Sequence, residues 1–311
     1  MVKPGRLQTS LKKYTIVGLG ELLWDRFSAG PQLGGAPANF AYYASLLGDH
    51  GVVASRVGDD ALGREALQRL EQLGLPATAI QQDQDCPTGT VDVTVDASGQ
   101  PDFTINTGVA WEQMAWTASW SKLAARTDVV CFGSMAQYGT PSAATIGHFL
   151  DATRPEALRI FDVNLRQNRF SADILAESLR KSDLVKMNDD ELPRVCALLG
   201  VDGSDLISQA EHLQSSFSLR LICLTRGANG SLLISPTETV DHPGISVDVA
   251  DTVGAGDAFT AALAYGYVRK KSLSLISEAA NRLGAWVASQ QGATQSPGKQ
   301  ILADIHKLFS S

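Results

Sequence analysis

Short, unbroken apolar runs recur along the chain at Tyr14–Leu19, Val52–Val57, Val129–Gly133, Arg159–Val163, Leu184–Met187, Leu221–Thr225 and Ser231–Ile234. Several are β-branched and continuous, the pattern of strands buried on both faces. Between them the period lengthens. Ala61–Leu73 places Leu62, Ala66, Leu70 and Leu73 on one helical face, with Gly74 as a stop. Ala36–Leu47 predicts a second helix, with Pro37 in its first turn, where a missing N–H costs least. Strands alternating with helices predict βαβ units and an α/β fold with a doubly wound, mostly parallel sheet carrying helices on both faces.

One stretch departs from this rhythm. Thr88–Val95 alternates apolar and polar residues, Ala97–Gln100 reads as a turn, and Pro101–Thr107 as a second short strand. That predicts a hairpin with one wet face, a small β lid over about residues 88–107 or an edge extension. Residues 14–311 then form one α/β domain, preceded by a tail over 1–13.

Composition narrows the function. The 311 residues are 44% hydrophobic and 19% charged, as in a globular protein with a sizeable core. The net charge of −7 leaves no basic surplus for nucleic acid. Cys86, Cys131, Cys196 and Cys223 are widely spaced and form no CxxC pair, which argues against a structural zinc site or a disulfide framework. The basic start of the chain has no apolar segment after it, and no run is long enough to span a membrane, so the expected location is cytoplasmic.

The most informative stretch is Asp251-Thr252-Val253-Gly254-Ala255-Gly256-Asp257-Ala258-Phe259. Upstream, Ile245–Val249 reads as a strand; downstream an apolar helix runs through Leu263. The glycines thus fall at a strand-to-helix turn, where unpaired N–H groups attract phosphate. Asp257 lies in the first helical turn, where the dipole favours a carboxylate. A carboxylate beside an anion hole is what phosphoryl transfer needs: the acid takes the acceptor's proton and the amides stabilise the transferring group. A glycine turn with a capping aspartate is the plainer reading of so short a motif.

The full DTVGAGDAF stretch resembles the C-terminal signature of the PfkB, or ribokinase-like, carbohydrate kinases. The resemblance runs over roughly residues 14–305 and implies the ribokinase-like version of the fold, ATP as phosphoryl donor and a small-molecule sugar as acceptor. It implies that Asp257 is the catalytic base and that Gly254, Ala255 and Gly256 form the anion hole. Leu33-Gly34-Gly35-Ala36-Pro37-Ala38-Asn39 resembles the N-terminal glycine signature, which implies sugar contacts at Gly34, Gly35 and Asn39. Gly20-Glu21-Leu22-Leu23-Trp24-Asp25 implies that Asp25 holds sugar hydroxyls, with Trp24 packing on the core. Asp59 or Asp60 is expected to cap the helix from Ala61.

Asn188-Asp189-Asp190-Glu191 matches the family's NxxE pattern, which implies a nucleotide contact at Asn188 and Mg2+ held by Glu191 through water; the same residues also suit a capping box. Thr225 and Gly227 are expected at ATP, with Arg226 near the phosphates or in solvent, and Asn281 and Ala285 resemble adenine-pocket positions. Asp251, Val253, Gly292 and Ser296 resemble a monovalent-cation site, which would take K+. Asn164 and Arg166, at the crevice end of the strand Arg159–Val163, suit phosphate or sugar contacts. By analogy with the family, the lid offers a homodimer contact; no nucleic-acid or membrane partner is implied.

Rival readings lack their residues. Gly18-Leu19-Gly20 has no third glycine to complete a dinucleotide fingerprint, and there is no GxxxxGK[ST] loop. A non-catalytic homologue would show damage to the base, anion hole or NxxE pattern, and all three are intact. GGAPAN after GELLWD resembles fructokinases most, and 2-keto-3-deoxygluconate kinases share much of it. Ribokinases more often carry lysine where Ala36 or Pro37 stands. The stretch Thr88–Thr107 contains no Lys or Arg, which favours an unphosphorylated sugar. The expected reaction is therefore transfer of the γ-phosphate to D-fructose at O6.

Overall fold

The structure, a computed structural model, describes residues 12–27, 30–95 and 101–310, apart from the side chains of 93–95 and 101–103. The chain enters through β1 (Thr15–Leu19), turns at Gly20 into β2 (Leu23–Phe27) and β3 (Gly30–Gly34), and passes into α1 (Ala36–Leu46). Next come β4 (His50–Gly58), α2 (Ala61–Gln72), β5 (Ile80–Asp83) and the paired strands β6 (Gly89–Val95) and β7 (Pro101–Ile105). A regular alternation follows: α3 (Ala118–Arg126), β8 (Val129–Gly133), α4 (Pro141–Asp151), β9 (Leu158–Asp162), α5 (Ala172–Arg180) and β10 (Leu184–Asn188). Beyond it lie α6 (Glu191–Leu199), α7 (Leu206–Phe217), β11 (Leu221–Thr225), β12 (Ser231–Ile234) and β13 (Thr239–His242). Three helices finish the described chain: α8 (Ala255–Val268), α9 (Leu273–Ala288) and α10 (Lys299–Leu308).

Nine strands form one sheet in the order β13-β12-β11-β10-β9-β8-β1-β4-β5, parallel except for the antiparallel pairings of β12 and β13. Successive residues of its strands face opposite layers. Val129 and Cys131 pack with α1, α8 and α9, whereas Val130 and Phe132 pack with the layer of α3 to α7. Phe132 and Phe161 stack at 5.3 Å within that second layer. Continuous apolar strands are therefore required: each is covered on both sides. Cys131, Cys196 and Cys223 are buried free thiols.

A second sheet of four strands, β3-β2-β6-β7, forms the lid. The predicted hairpin is present as β6 and β7, while its turn over 97–100 lies outside the described residues. The lid is larger than the hairpin, because β2 pairs parallel with β6 and antiparallel with β3. Asp25 thus sits on a strand rather than in a loop, and Trp24, buried, donates its indole N–H to Leu62 O at 3.0 Å.

Two expectations are corrected. Ile245–Val249 is not a strand; it runs unpaired past the sheet, with Val249 64% exposed, and the edge position belongs to β13. Of the two places expected for Arg226, open solvent is excluded, since its side chain is only 19% exposed. Its guanidinium is tied to Asp241 and to the carbonyl of His242, on the strand side of its turn. As expected, Asp60 caps α2, accepting from Gly63 N at 2.7 Å.

Candidate active site

The crevice ends of β1, β8, β9, β10 and β11 open into a cavity of about 830 Å3 roofed by the lid residues Leu23, Asp25, Val91 and Ile105. Crevices at such strand ends are where open α/β sheets bind ligands. Most of the expected site residues line it: Asp25, Gly35, Asn39, Asn164 and Arg166 on the lid side, and Val253, Gly254, Gly256 and Asp257 at the start of α8. Asn188, Glu191, Thr225 and Gly227 complete the far wall.

Asp257 stands in the first turn of α8, whose N-cap, Gly254, has a φ of 80°. That left-handed backbone favours glycine, and a side chain there would meet Ala293 O at 2.7 Å. The turn is clamped from both sides: Asp251 accepts from Val253 N and Gly292 N, each at 3.0 Å, and Tyr43 donates to Ala293 O at 2.9 Å. Asn39 Nδ2, from α1, donates to Asp257 Oδ2 at 2.8 Å, which fixes the carboxylate across 218 residues of chain. Burial pushes the Asp257 carboxyl above the ordinary aspartate value, against the lowering effect of Asn39, Lys186 and Arg166.

Asn188 and Glu191 form the reciprocal box that their spacing allows. Glu191 N donates to Asn188 Oδ1 at 2.7 Å and Asn188 N to Glu191 Oε2 at 2.8 Å. The other carboxylate oxygen accepts Leu165 N at 2.7 Å, which ties Glu191 to the loop of Asn164 and Arg166. Asn164 takes a φ of 41° in that loop. Asp25 rests on backbone: a Cβ at Gly34 would lie 2.3 Å from its Oδ2.

Several expected residues stand elsewhere. Gly34 and Ala255 are in the right segments but do not line the cavity. Asn281 is buried under β12, donating to Ser231 Oγ at 2.8 Å and Ser277 O at 2.8 Å, and neither it nor Ala285 reaches the cavity. Asp251, Val253 and Gly292 come together through the Asp251 carboxylate, with Ser296 further along the same segment beside Tyr42.

Among the charged residues of the cavity that were assigned no role from the sequence, two stand out. Lys186, on β10, pairs with Asp162 at 3.1 Å and 3.2 Å, and its Nζ lies where a Cβ on Gly256 would come within 2.9 Å. Thr260 of α8 donates to the same Asp162 at 3.3 Å. Burial works against the charge on Lys186, but Asp162 first, then Glu191 and Asp257, hold its pKa above the ordinary lysine value. The result is a fixed ammonium beside the first turn of α8. A lysine inside the apolar run Leu184–Met187 was the available signal, since lysine is almost never buried without a partner. Glu21 is the other. It is 3% exposed, lines the cavity, and its Oε2 has no hydrogen-bond partner. Burial pushes its carboxyl up to about 7, with Asp257 adding to the rise.

Comparison with known proteins identifies the family. The model of the pfkB family of carbohydrate kinases matches residues 20–299. An uncharacterized sugar kinase of Pyrococcus horikoshii is 30% identical over 306 residues, 92% of this chain and 94% of its own. Its crystal structure in complex with ATP superposes with a TM-score of 0.77 over 94% of this chain and 98% of the other, at 27% identity. An ATP-dependent 6-phosphofructokinase of Thermoanaerobacterium thermosaccharolyticum is 26% identical, covering 85% of this chain and 86% of its own. A fructokinase of Escherichia coli is 27% identical, covering 88% and 91%.

Proposed function

Because the chain belongs to the pfkB family of carbohydrate kinases, we propose that it transfers the γ-phosphate of ATP to a hydroxyl of an unphosphorylated sugar, D-fructose at O6 being the first choice. The carrying observation is Asp257, held by Asn39 at 2.8 Å at the start of α8 and facing the roofed cavity. A carboxylate with a raised pKa is a competent proton acceptor, because it takes the acceptor's proton as the bond to phosphorus forms. The N–H groups at the start of α8 and the Lys186 ammonium lie where charge develops on the transferring group. Asp25, Gly35 and Asn39 are assigned to hold the sugar in line; Asn164 and Arg166 close its other side.

The relatives named above act on phosphorylated and unphosphorylated sugars alike, so the acceptor is chosen from charge. Glu21, Asp25 and Asp257 line the same cavity as Arg166, and a second phosphate beside them would meet three acidic side chains. Thr225, Gly227 and Asn188 are assigned to the nucleotide. Glu191 suits a magnesium ion carried in with ATP. Its carboxylate is pre-oriented by two backbone N–H groups, and the described residues form no cluster of three acids, histidines or cysteines that would cage a metal unaided. Bound there, magnesium would neutralise phosphate oxygens while keeping much of its water. Asp251, Val253, Gly292 and Ser296 remain the assignment for a K+ ion.

The test is sugar-dependent ADP release with Mg-ATP across fructose, 2-keto-3-deoxygluconate, ribose, adenosine and fructose 6-phosphate. Fructose should stimulate release most, and ATP hydrolysis without sugar should be slow, because lid closure on the sugar completes the site and excludes water from the transfer. A preference for another sugar would replace the acceptor. No stimulation by any of them would place the acceptor outside this panel or favour a non-catalytic sugar- or nucleotide-binding homologue, and ATP binding by the same preparation would decide whether the nucleotide half of the reading stands.

A further inference from the structure

Glu21 stands between β1 and the first lid strand, at the joint between the two sheets. Its side chain lines the cavity together with Asp25, Gly35, Asn39 and Asp257. Nothing in the protein satisfies Oε2, although almost all of the residue is removed from solvent. Buried polar groups without partners are rare, and a carboxylate is the most expensive kind. The arrangement therefore costs stability that no internal contact returns. A partial turn about the terminal bond, whose torsion is broad, would present Oε2 to a group arriving from the cavity. Arg166 faces the same region and lowers the cost of the charge without forming an ion pair with Glu21.

A purely structural role is the competing account. α1 begins at Gly35, which has no side chain to cap it, and the Ala36 N–H helps hold the Glu21 pKa down. A remote cap would use one face of the carboxylate. It would leave Oε2 as it is, unsatisfied, and would not require the side chain to line a ligand cavity.

We propose that Glu21 is a specificity-determining residue of the acceptor site, whose carboxyl group receives one sugar hydroxyl that is neither the one phosphorylated nor one held by Asp25. This inference rests on the reading of the cavity as a sugar site. The acceptor supplies the missing partner, and sugars that place no hydroxyl there leave Glu21 unpaired in the closed site. Sites built to bond a hydroxyl discriminate strongly against analogues lacking it, because the buried group is then stranded.

The experiment compares the full chain with Glu21→Gln and Glu21→Asp, using D-fructose and its 1-, 3- and 4-deoxy analogues, or the same analogues of whichever panel sugar the wild type prefers. Glu21→Gln keeps the shape and one donor–acceptor pair; Glu21→Asp withdraws the carboxylate by one methylene and serves if Glu21→Gln does not fold. Expected is a rise of roughly tenfold or more in KM for the parent sugar, with KM for ATP within about twofold. One deoxy analogue, the one lacking the bonded hydroxyl, should be handled alike by wild type and variants, closing a cycle that assigns the contact. A remote cap would instead weaken every analogue equally and lower thermal stability. That result, or an unchanged KM for the parent sugar, would overturn the proposal while leaving the kinase reading intact. Failure of the wild type to phosphorylate any sugar would overturn both.

Discussion

The turn that opens α8 can be tested by adding one methyl group. At Gly254 the backbone has a φ of 80°, and an alanine Cβ would lie 2.7 Å from Ala293 O, 2.8 Å from its Cα and 2.9 Å from its Cβ. The backbone term is about 1–2 kcal/mol for an L-residue in the left-handed region. The contact term adds about 1–3 kcal/mol, typical of overpacking against atoms that cannot swing aside. Gly254→Ala should therefore cost roughly 2–5 kcal/mol. Gly200→Ala is the control, since Gly200 ends α6 with a φ of 66° and nothing within 4 Å of its would-be Cβ. It should lose only the backbone term and keep normal turnover. Differential scanning calorimetry should separate the two by several degrees, at about 2 °C per kcal/mol for a domain of this size. Relief of the clash must also move the segment that Asp251 and Tyr43 clamp, which displaces the amides at the start of α8, proposed as the anion hole. A misplacement of about 1 Å is worth about a hundredfold in rate, so kcat should fall steeply in Gly254→Ala. Equal melting of the two variants, with turnover of Gly254→Ala within twofold of wild type, would refute the reasoning.

Other outcomes follow from the same geometry. Asp257→Asn should lose roughly 10²–10⁴-fold in kcat, the usual worth of a general base, while isothermal titration shows ATP affinity within a few-fold; near-normal turnover would remove Asp257 from proton transfer. Lys186→Met should lose turnover and also destabilise the fold by about 3–5 kcal/mol, because Asp162 is left charged and unpaired. Adding Asp162→Asn should restore the denaturation midpoint but not the rate, and recovery of both would show that Lys186 serves structure alone. Stability should also depend on pH. Glu21 and Asp25 are raised by burial to about 7 and about 6, from ordinary values of 4.5 and 3.8. Between those limits the folded chain binds more protons than the unfolded one, so unfolding free energy falls as pH rises from about 4 to about 7. Glu21→Gln removes its share, and its unfolding free energy from urea titration should gain on wild type toward pH 8 by up to about 3 kcal/mol; a gap equal at pH 5 and pH 8 would contradict the burial argument.

What the sequence made legible was what depends on near neighbours. The buried strands of the main sheet announced themselves because both faces are covered, which leaves no polar position to interrupt Val129–Gly133 or Leu221–Thr225. Lid strands β2 and β3 were passed over: five residues each, partly wet, with β2 read as the segment after β1. Ile245–Val249 misled for the opposite reason. Its local pattern suits a strand, but a strand also needs a ladder partner, and β13 already forms the sheet edge.

The site divides along the same line. Glycines and the residues of DTVGAGDAF are local and were found, as was Asp25; which charges the glycines make room for is not a local matter. Asp25 lies against Gly34, and Lys186 Nζ against Gly256, each within 3 Å of where a Cβ would stand. Each glycine marks a place where a charged group from another strand comes to rest on bare backbone. Lys186 meets Asp162 across 24 residues and Asn39 meets Asp257 across 218, contacts that only the closing of the sheet decides. A motif of small residues in one segment therefore implies an unseen partner in another, and a lone ionisable residue inside an apolar run is the place to look for it. Lys186 in Leu184–Met187 and Glu21 between Gly20 and Leu22 both satisfy that rule, and both turn out to line the cavity.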